Sequence, residues 1–372
     1  MRLFYKNRLA LWLSAATTTS NLQARAFSFH GAFVPRTTSF HRSNMSTSAS
    51  VEADNSLRVG LSQFLVTEDK NVNHETCRKH ISRAVEQGAK LIVLPVSFEL
   101  CNVWAKFISV VPSLIFVLCQ QEIWASPYAT AAFPDYAESM PSVGDTDVSI
   151  SPSAQVIQES AQRYGVWIVG GSVPERDENE KIYNTCLVFN PDGKVVAKHR
   201  KVHLFDIDVP GGITFFESET LSPGNTMTSF ETPWCPIGVG ICYDIRFPAY
   251  AMLLRQETGC KILIYPGAFN MTTGPAHWEL LQRARALDNQ CFVLTASHAR
   301  AEPPAEGKGK YPHYTAWGHS SAVSLWGEVV ATTDENEDVV VVDLDLSLVD
   351  STRQSIPISK QARSDLYTIA KP

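Results

Sequence analysis

One cysteine in this 372-residue chain lies where a nucleophile could work. Cys242 stands between Gly240, at the end of an apolar run, and an amphipathic segment that begins near Phe247. This position predicts a turn from a strand into a helix, where nearby N–H groups can lower the pKa of a thiol or bind an oxyanion. A free cysteine is more often a small buried hydrophobe, so a catalytic interpretation needs partners elsewhere in the chain.

Two other segments carry ionisable side chains that could act with a thiol. Lys201 lies within His199–Phe205, after the second strand of a predicted hairpin, and Glu122 opens the stretch Glu122–Trp124. A positioned carboxylate can serve as a general base, and a lysine can stabilise an oxyanion.

These segments together resemble the nitrilase (carbon–nitrogen hydrolase) superfamily. The motifs of that superfamily are a Glu after a strand, a Lys in an R-K-x-H-L-F context and a Cys in G-x-C-Y-D-x-R-F. The resemblance covers residues 57–370, and five stretches are similar to the omega-amidase branch in particular: His203–Pro210, Ile213–Glu217, Tyr265–Trp278, Arg283–Gln290 and Arg363–Tyr367.

The resemblance implies an α/β fold, an αββα sandwich of the nitrilase type, with the hydrolase domain at 57–346 and a dimer-associated C-terminal extension at 347–372. The residue pattern agrees with layered α/β structure, because strand-like and helix-like stretches alternate from Leu57 onward. Turn sequences predict hairpins at Asn190–Gly193 and Trp326–Glu328. Strands are expected at 58–64, 91–94, 166–172, 262–265 and 291–296, and helices at 152–164, after Cys242 up to Gly259, and from Pro275.

The resemblance also implies roles for the ionisable residues. Cys242 would attack an amide as a thiolate and form a thioester, which divides a difficult hydrolysis into two steps. Glu122 would be the general base, and Lys201 with the backbone N–H of Tyr243 would stabilise the oxyanion. A cation beside the thiol would favour the thiolate. Glu217 would orient these groups, and no metal or organic cofactor is implied.

For the omega-amidase branch, the implied substrates are short dicarboxylic monoamides such as 2-oxoglutaramate and 2-oxosuccinamate. Their free carboxylate requires a cation or hydroxyl groups, for which Arg246, Thr272 and Thr273 are the candidates. Tyr128 and Phe269 are expected to line the pocket, although packing alone would also explain these aromatic residues.

Several alternatives stay open on the residues alone. A related branch would hydrolyse a deaminated-glutathione-type amide, and an inactive homologue would act as a scaffold. His203 and His277 are expected to make structural hydrogen bonds, since their spacing does not suit a metal site. Gly211-Gly212 predicts a turn, and Arg200 a solvated or structurally paired charge.

The segment Val96–Gln121 interrupts the family pattern. The pattern places the Glu directly after Leu94-Pro95, whereas here it resumes only at Glu122. A Val codon begins with GT and a Gln codon can end in AG, so our hypothesis is a retained intron that keeps the reading frame. If the segment is translated, Glu122 can act as the base only where it still lies next to Pro95 in space. Glu99 is the substitute base if it does not.

The first 51 residues carry six basic residues and no Asp or Glu, and they are rich in Ser and Thr. This composition is typical of an organelle transit peptide, with a disordered tail as the alternative. A mitochondrion is expected, or a plastid, or the cytoplasm if translation starts at Met45. The remaining residues hold 26 Lys and Arg against 38 Asp and Glu, which argues against nucleic acid as a partner. No apolar run is long enough to span a membrane, so the expected partners are a small amide substrate and a second copy of the chain.

Overall fold

The computed structural model describes residues 56–88, 91–93, 117–119, 121–305 and 309–372. The predicted leader, Glu99 and Pro95 lie outside these residues. Within them, no helix is long and apolar enough to cross a membrane.

Two larger sheets form the centre of the described part. The first contains β1 (Ser56–Gln63), β2 (Leu91–Val93), β3 (Val117–Cys119), β4 (Ile168–Val169), β5 (Val173–Arg176), β6 (Ile182–Phe189), β7 (Val195–Arg200) and β16 (Asp338–Asp345). The second contains β10 (Thr228–Phe230), β11 (Ile237–Val239), β12 (Ile262–Pro266), β13 (Phe292–Ala296), β14 (Ser321–Val323) and β15 (Val329–Thr332). A separate hairpin consists of β8 (Asp206–Asp208) and β9 (Thr214–Phe216).

The sheets face each other, and helices cover their outer faces. Alternate side chains of β1 enter the core between the sheets, where Leu57 and Val59 pack in one cluster with Ile237 of the second sheet. On the other side of the first sheet, Ile81 and Ile157 lie in a second cluster. The helices are α1 (Lys70–Glu86), α2 (Phe133–Tyr136), α3 (Pro152–Tyr164), α4 (Pro248–Thr258), α5 (Gly274–Asn289), α6 (Ser347–Ser355) and α7 (Ile358–Gln361). The predicted α/β sandwich is confirmed.

Local signals determine both ends of the helix α3. The helix α3 matches its predicted range: Ser151 Oγ accepts from Ala154 N, Pro152 opens the first turn, and Gly165 ends the helix in the left-handed conformation. The predicted strand 166–172 is shorter than expected, because the chain turns at Gly171, whose φ is 57°. After this turn, Ser172 N donates to Gln121 O at 2.9 Å.

The strand that leads to Glu122 differs from expectation. The strand β3 comes from the end of the interrupting segment and lies parallel to β1, with Leu118 opposite Gly60 and Cys119 opposite Leu61. The predicted strand β2 is present as well, in register with β3 from Leu91 opposite Val117 onward. Cys119 is three residues before Glu122, and Val93 would be three residues before it without Val96–Gln121. The segment therefore ends in a second strand at the same spacing from the glutamate.

Candidate active site

The site lies at the carboxyl ends of parallel strands of the second sheet. The strands β11, β12 and β13 run parallel, and Cys242, Ala268 and His298 each follow one of them. Parallel strands bring their carboxyl ends to one edge, which is why residues distant in sequence meet here.

Cys242 occupies a strained turn. Its φ is 44°, in the left-handed region that non-glycine residues seldom adopt, and it begins a short 3₁₀ turn, Cys242–Arg246. The backbone just before this turn passes close to the ring of Tyr265. Only a glycine fits at position 240, because a Cβ there would lie 2.6 Å from a ring carbon of Tyr265. The predicted strand-to-helix turn is thus present, and α4 follows and ends at Gly259 as expected.

Glu122 enters the same site from the first sheet. Its neighbour Ile123 also has a positive φ, 50°, and Ile123 N donates to Ser172 Oγ at 2.9 Å. The Glu122 side chain is fully buried, and Oε2 accepts from Ala268 N at 3.0 Å. These bonds hold the carboxylate between the two sheets although β3, rather than the predicted strand 91–94, precedes it.

Lys201 joins the two predicted carboxylates. Its Nζ lies 2.7 Å from Glu122 Oε1 and 2.9 Å from Glu217 Oε1, and all three side chains are completely buried. Glu217 is fixed in turn by Tyr128 OH at 2.6 Å and by Phe205 N at 2.7 Å. A buried ammonium between two carboxylates needs such further hydrogen bonds to offset the loss of hydration.

Burial and charge set the protonation of these groups. Burial raises the pKa of the Cys242 thiol well above its usual value, and the Glu122 carboxylate raises it further against the opposing effect of Lys201. Lys201 lowers the Cys242 pKa, as a cation beside a thiol is expected to do, but desolvation and the Glu122 carboxylate raise it more. Burial also raises the pKa of Glu122, in part against the charge of Lys201. Burial alone would lower the pKa of Lys201, but its two carboxylate partners hold it well above the usual value.

Arg246 forms a second part of the site. Its guanidinium carbon lies 4.8 Å from the ring centre of Phe269 and 5.5 Å from that of Tyr243. Its Nη1 is 3.3 Å from His277 Nδ1, and no carboxylate among the described residues pairs with it. Burial lowers the Arg246 pKa, while the nearby Cys242 opposes this effect. The predicted cation and the predicted aromatic residue Phe269 are thus together, with the ring of Tyr243 beside them.

The remaining predicted residues are held by hydrogen bonds or lie in a turn. Thr272 and Thr273 lie at the start of α5, where their N–H groups donate to Asn270 Oδ1 at 2.9 Å. His203 Nδ1 lies 2.7 Å from Asp244 Oδ1, the structural hydrogen bond that was expected. Gly211 forms the turn of the β8–β9 hairpin with a φ of 72°.

Arg200 makes a structural ion pair with Glu175 at 2.7 Å, as anticipated. Among the described residues, no cluster of His, Cys, Asp and Glu is suited to hold a metal ion.

Sequence reasoning missed two residues that contact Glu122. Asn184 Nδ2 donates to Glu122 Oε1 at 2.8 Å, and His298 Nε2 lies within hydrogen-bond distance of the Glu122 carbonyl oxygen. Burial lowers the pKa of His298 to about 4, so the ring is neutral near pH 7 and donates through Nε2. The sequence offered one signal for each. Asn184 is a polar residue inside the buried strand β6, and His298 follows the predicted strand 291–296.

A buried thiol, a carboxylate and a lysine on an αββα sandwich define a hydrolase of carbon–nitrogen bonds. The family model for carbon-nitrogen hydrolases matches residues 58–354, and the chain belongs to this family. It is 47% identical to Omega-amidase NIT2 of Xenopus tropicalis over 312 residues, which cover 84% of this chain and 97% of that protein. It is 46% identical to the chloroplastic omega-amidase of Arabidopsis thaliana, covering 84% of this chain and 73% of that one.

Solved structures agree with this assignment. Saccharomyces cerevisiae Nit3, a member of branch 10 of the nitrilase superfamily, is similar with a TM-score of 0.66 and 36% sequence identity, covering 83% of this chain and 97% of Nit3. The curated relatives place the chain in the omega-amidase branch of the superfamily.

Proposed function

We propose that this chain is an omega-amidase that hydrolyses the terminal amide of short dicarboxylic monoamides, such as 2-oxoglutaramate and 2-oxosuccinamate. The observation that carries the substrate assignment is the Arg246 guanidinium, which lies beside Cys242 without a carboxylate partner among the described residues. The relatives named omega-amidase support the same reaction.

The reaction begins with a neutral thiol. Glu122, which shares a hydrogen bond with Cys242, takes the thiol proton as sulfur attacks the amide carbon. The oxyanion is stabilised by Lys201 and by the backbone N–H of Tyr243. When the carbon–nitrogen bond breaks, Glu122 gives its proton to the departing nitrogen, and ammonia leaves a thioester on Cys242.

Deacylation uses the same groups, with water in place of the thiol. Glu122 takes a proton from water, whose oxygen attacks the thioester carbon, and Lys201 again stabilises the oxyanion. Collapse of this intermediate releases the dicarboxylate, and the proton returns to Cys242 sulfur. Glu217 and Tyr128 touch neither reacting bond in this scheme, but their contacts keep Lys201 in place.

Arg246 explains a preference for a second carboxylate on the substrate. A half-buried guanidinium loses hydration, and an incoming carboxylate can restore its hydrogen bonds in a bidentate pair. Its buried Nε has no hydrogen-bond partner among the described residues, which leaves one donor for that pair. The rings of Phe269 and Tyr243 hold the guanidinium in position.

Replacement of Arg246 by Gln is expected to reduce kcat/KM for 2-oxoglutaramate by on the order of 100-fold, since a buried charge pair loses one partner. The change for pentanamide, a neutral amide of similar length, is expected to stay within about threefold because no charge pair forms. Steady-state ammonia release with both substrates measures the difference. Arg78→Gln on α1 is the matched control, since that arginine pairs with exposed Glu75 and Glu159. An equal loss for both amides would contradict carboxylate recognition.

Ammonia release from 2-oxoglutaramate by the full chain, and by a chain that lacks Val96–Gln121, tests the proposed activity itself. Both are expected to be active, because β2 shares the register of β3 and would lead to Glu122 at the same spacing. Activity in the shortened chain alone would show that the segment displaces Glu122.

Activity in neither chain would favour the scaffold or the deaminated-glutathione-type amidase. Transcript sequencing across Pro95 and Glu122 decides the retained-intron hypothesis separately.

We also infer that residues 1–51 form a transit peptide, with a mitochondrion as the first destination. The chloroplastic name of the Arabidopsis relative supports a plastid instead, and a start at Met45 would give a cytoplasmic form. A fluorescent protein fused after residue 51 distinguishes these outcomes.

A homodimer that involves residues 347–372 is proposed as well. Light scattering on the chain with and without this extension tests it.

A further inference from the structure

Asp244 lies two residues after Cys242 and is fully buried, yet it takes no part in the reaction above. Its Oδ2 accepts from Ile241 N at 2.9 Å and lies 3.2 Å from His199 Nε2. Its Oδ1 accepts from His203 N at 2.9 Å and lies 2.7 Å from His203 Nδ1. One carboxylate thus has four polar contacts, two on each oxygen.

These contacts flank both reacting side chains. Ile241 directly precedes Cys242, while His199 and His203 lie two residues before and two residues after Lys201. Oδ1 of Asp244 binds the loop after Lys201, whereas Oδ2 binds both His199 before Lys201 and the backbone N–H just before Cys242. The carboxylate therefore connects two segments that are otherwise separated by about forty residues of chain.

The turn requires such support. A non-glycine residue at a positive φ is strained and persists only where its surroundings over-determine it. The bond from Ile241 N closes the turn around Cys242, whose φ is 44°. On the other side, the His203 ring stacks on Phe247 with a centroid distance of 3.6 Å.

The charge of Asp244 is compatible with its burial. Burial alone would raise the pKa of this carboxyl, but hydrogen bonds from His199 and His203 hold it well below its usual range. The group is therefore an anion near neutral pH, and each of its oxygens can accept two donors. If the Asp244 side chain lost its charge, donors beside Cys242 and beside Lys201 would lose an acceptor.

We propose that Asp244 is a positioning residue that sets the distance between the Cys242 thiol and the Lys201 ammonium. The proposal rests on the catalytic roles given above to those two residues. A displacement of about 1 Å at reacting groups can cost on the order of 100-fold in rate. Loss of the bridge would act on the chemical step, because the contacts of Arg246 with Phe269 and His277 do not involve Asp244.

The test compares Asp244→Asn with Glu138→Gln in the full chain, with 2-oxoglutaramate as substrate. Glu138 is a matched control: it is buried, it accepts from Ser151 Oγ at 2.5 Å and from Ser153 N at 3.0 Å, and it pairs with Lys70. In D244N, the amide nitrogen faces donors that need an acceptor, so kcat is expected to fall about 100-fold with KM within about threefold. E138Q is expected to lower Tm without lowering kcat.

His203→Ala provides a second variant that keeps the bond from Ile241 N. It removes one contact to Oδ1 from a side chain that is 26% exposed, and kcat is expected to fall about tenfold. Unchanged kcat in folded D244N or in H203A would overturn the proposal, as would an equal loss of kcat in E138Q. Inactivity of both the full chain and the chain that lacks Val96–Gln121 would instead overturn the proposed function, and the positioning role with it.

Discussion

Replacement of Cys242 by Ala is expected to abolish amide hydrolysis, with kcat reduced by on the order of 10⁴-fold or more. The thioester forms on the Cys242 sulfur, and without it Glu122 and Lys201 leave water to attack an unactivated amide. Ammonia release gives the rate, and mass spectrometry of acid-quenched wild type should show an acyl adduct that the variant lacks. Cys186→Ala is the control, because that thiol is also fully buried but lies in the core of β6.

A substantial rate in C242A would refute the covalent mechanism, whatever the substrate. Loss of activity in C186A as well would indicate that removing any buried thiol damages the fold. The adduct mass also tests the substrate, since 2-oxoglutaramate and a neutral amide leave different acyl groups on sulfur.

Replacement of Lys201 by Met is expected to impair both activity and stability. The change leaves Glu122 and Glu217 buried without their shared cation, which costs about 3–5 kcal/mol in the free energy of unfolding. Loss of oxyanion stabilisation should lower kcat by about 10²–10³-fold in protein that still folds. Urea unfolding and ammonia release measure the two effects.

The stability loss in K201M should depend on pH. A carboxyl whose pKa is raised in the folded state favours folding at low pH, and this contribution is lost as pH rises through the raised pKa. Burial already raises the Glu122 pKa with the lysine present, and removing the cation raises it further. The deficit should therefore be smaller in acid and grow towards neutral pH.

Lys198→Met is the matched control for this variant. Lys198 Nζ lies 2.6 Å from Glu175 Oε1, but Glu175 keeps a second cation, Arg200, at 2.7 Å. A small, weakly pH-dependent loss of stability with normal kcat is expected. If K201M were as stable and active as K198M, Lys201 would have no special role in the site.

Features that depend on neighbouring residues were predictable from the sequence. The helix at 152–164, the hairpin turn at Asn190–Gly193 and the turn at Cys242 follow from caps, glycines and local hydrophobic pattern. Such features arise within a few residues of chain, where propensity and hydrogen bonding act directly. The family resemblance added the choice of Glu122, Lys201 and Glu217, and the structure brings these three side chains together.

The residue pattern was thus enough to predict the fold class and the turn at Cys242, whereas contacts between distant segments set the support and the charge of the site. Only sheet pairing shows that β3 leads to Glu122, and only packing brings Asn184 and Asp244 to their partners. The resting protonation of Cys242 likewise depends on burial, which outweighs the nearby lysine. These properties come from contacts between residues far apart in the chain, and desolvation is set by everything that surrounds a group rather than by its neighbours in sequence.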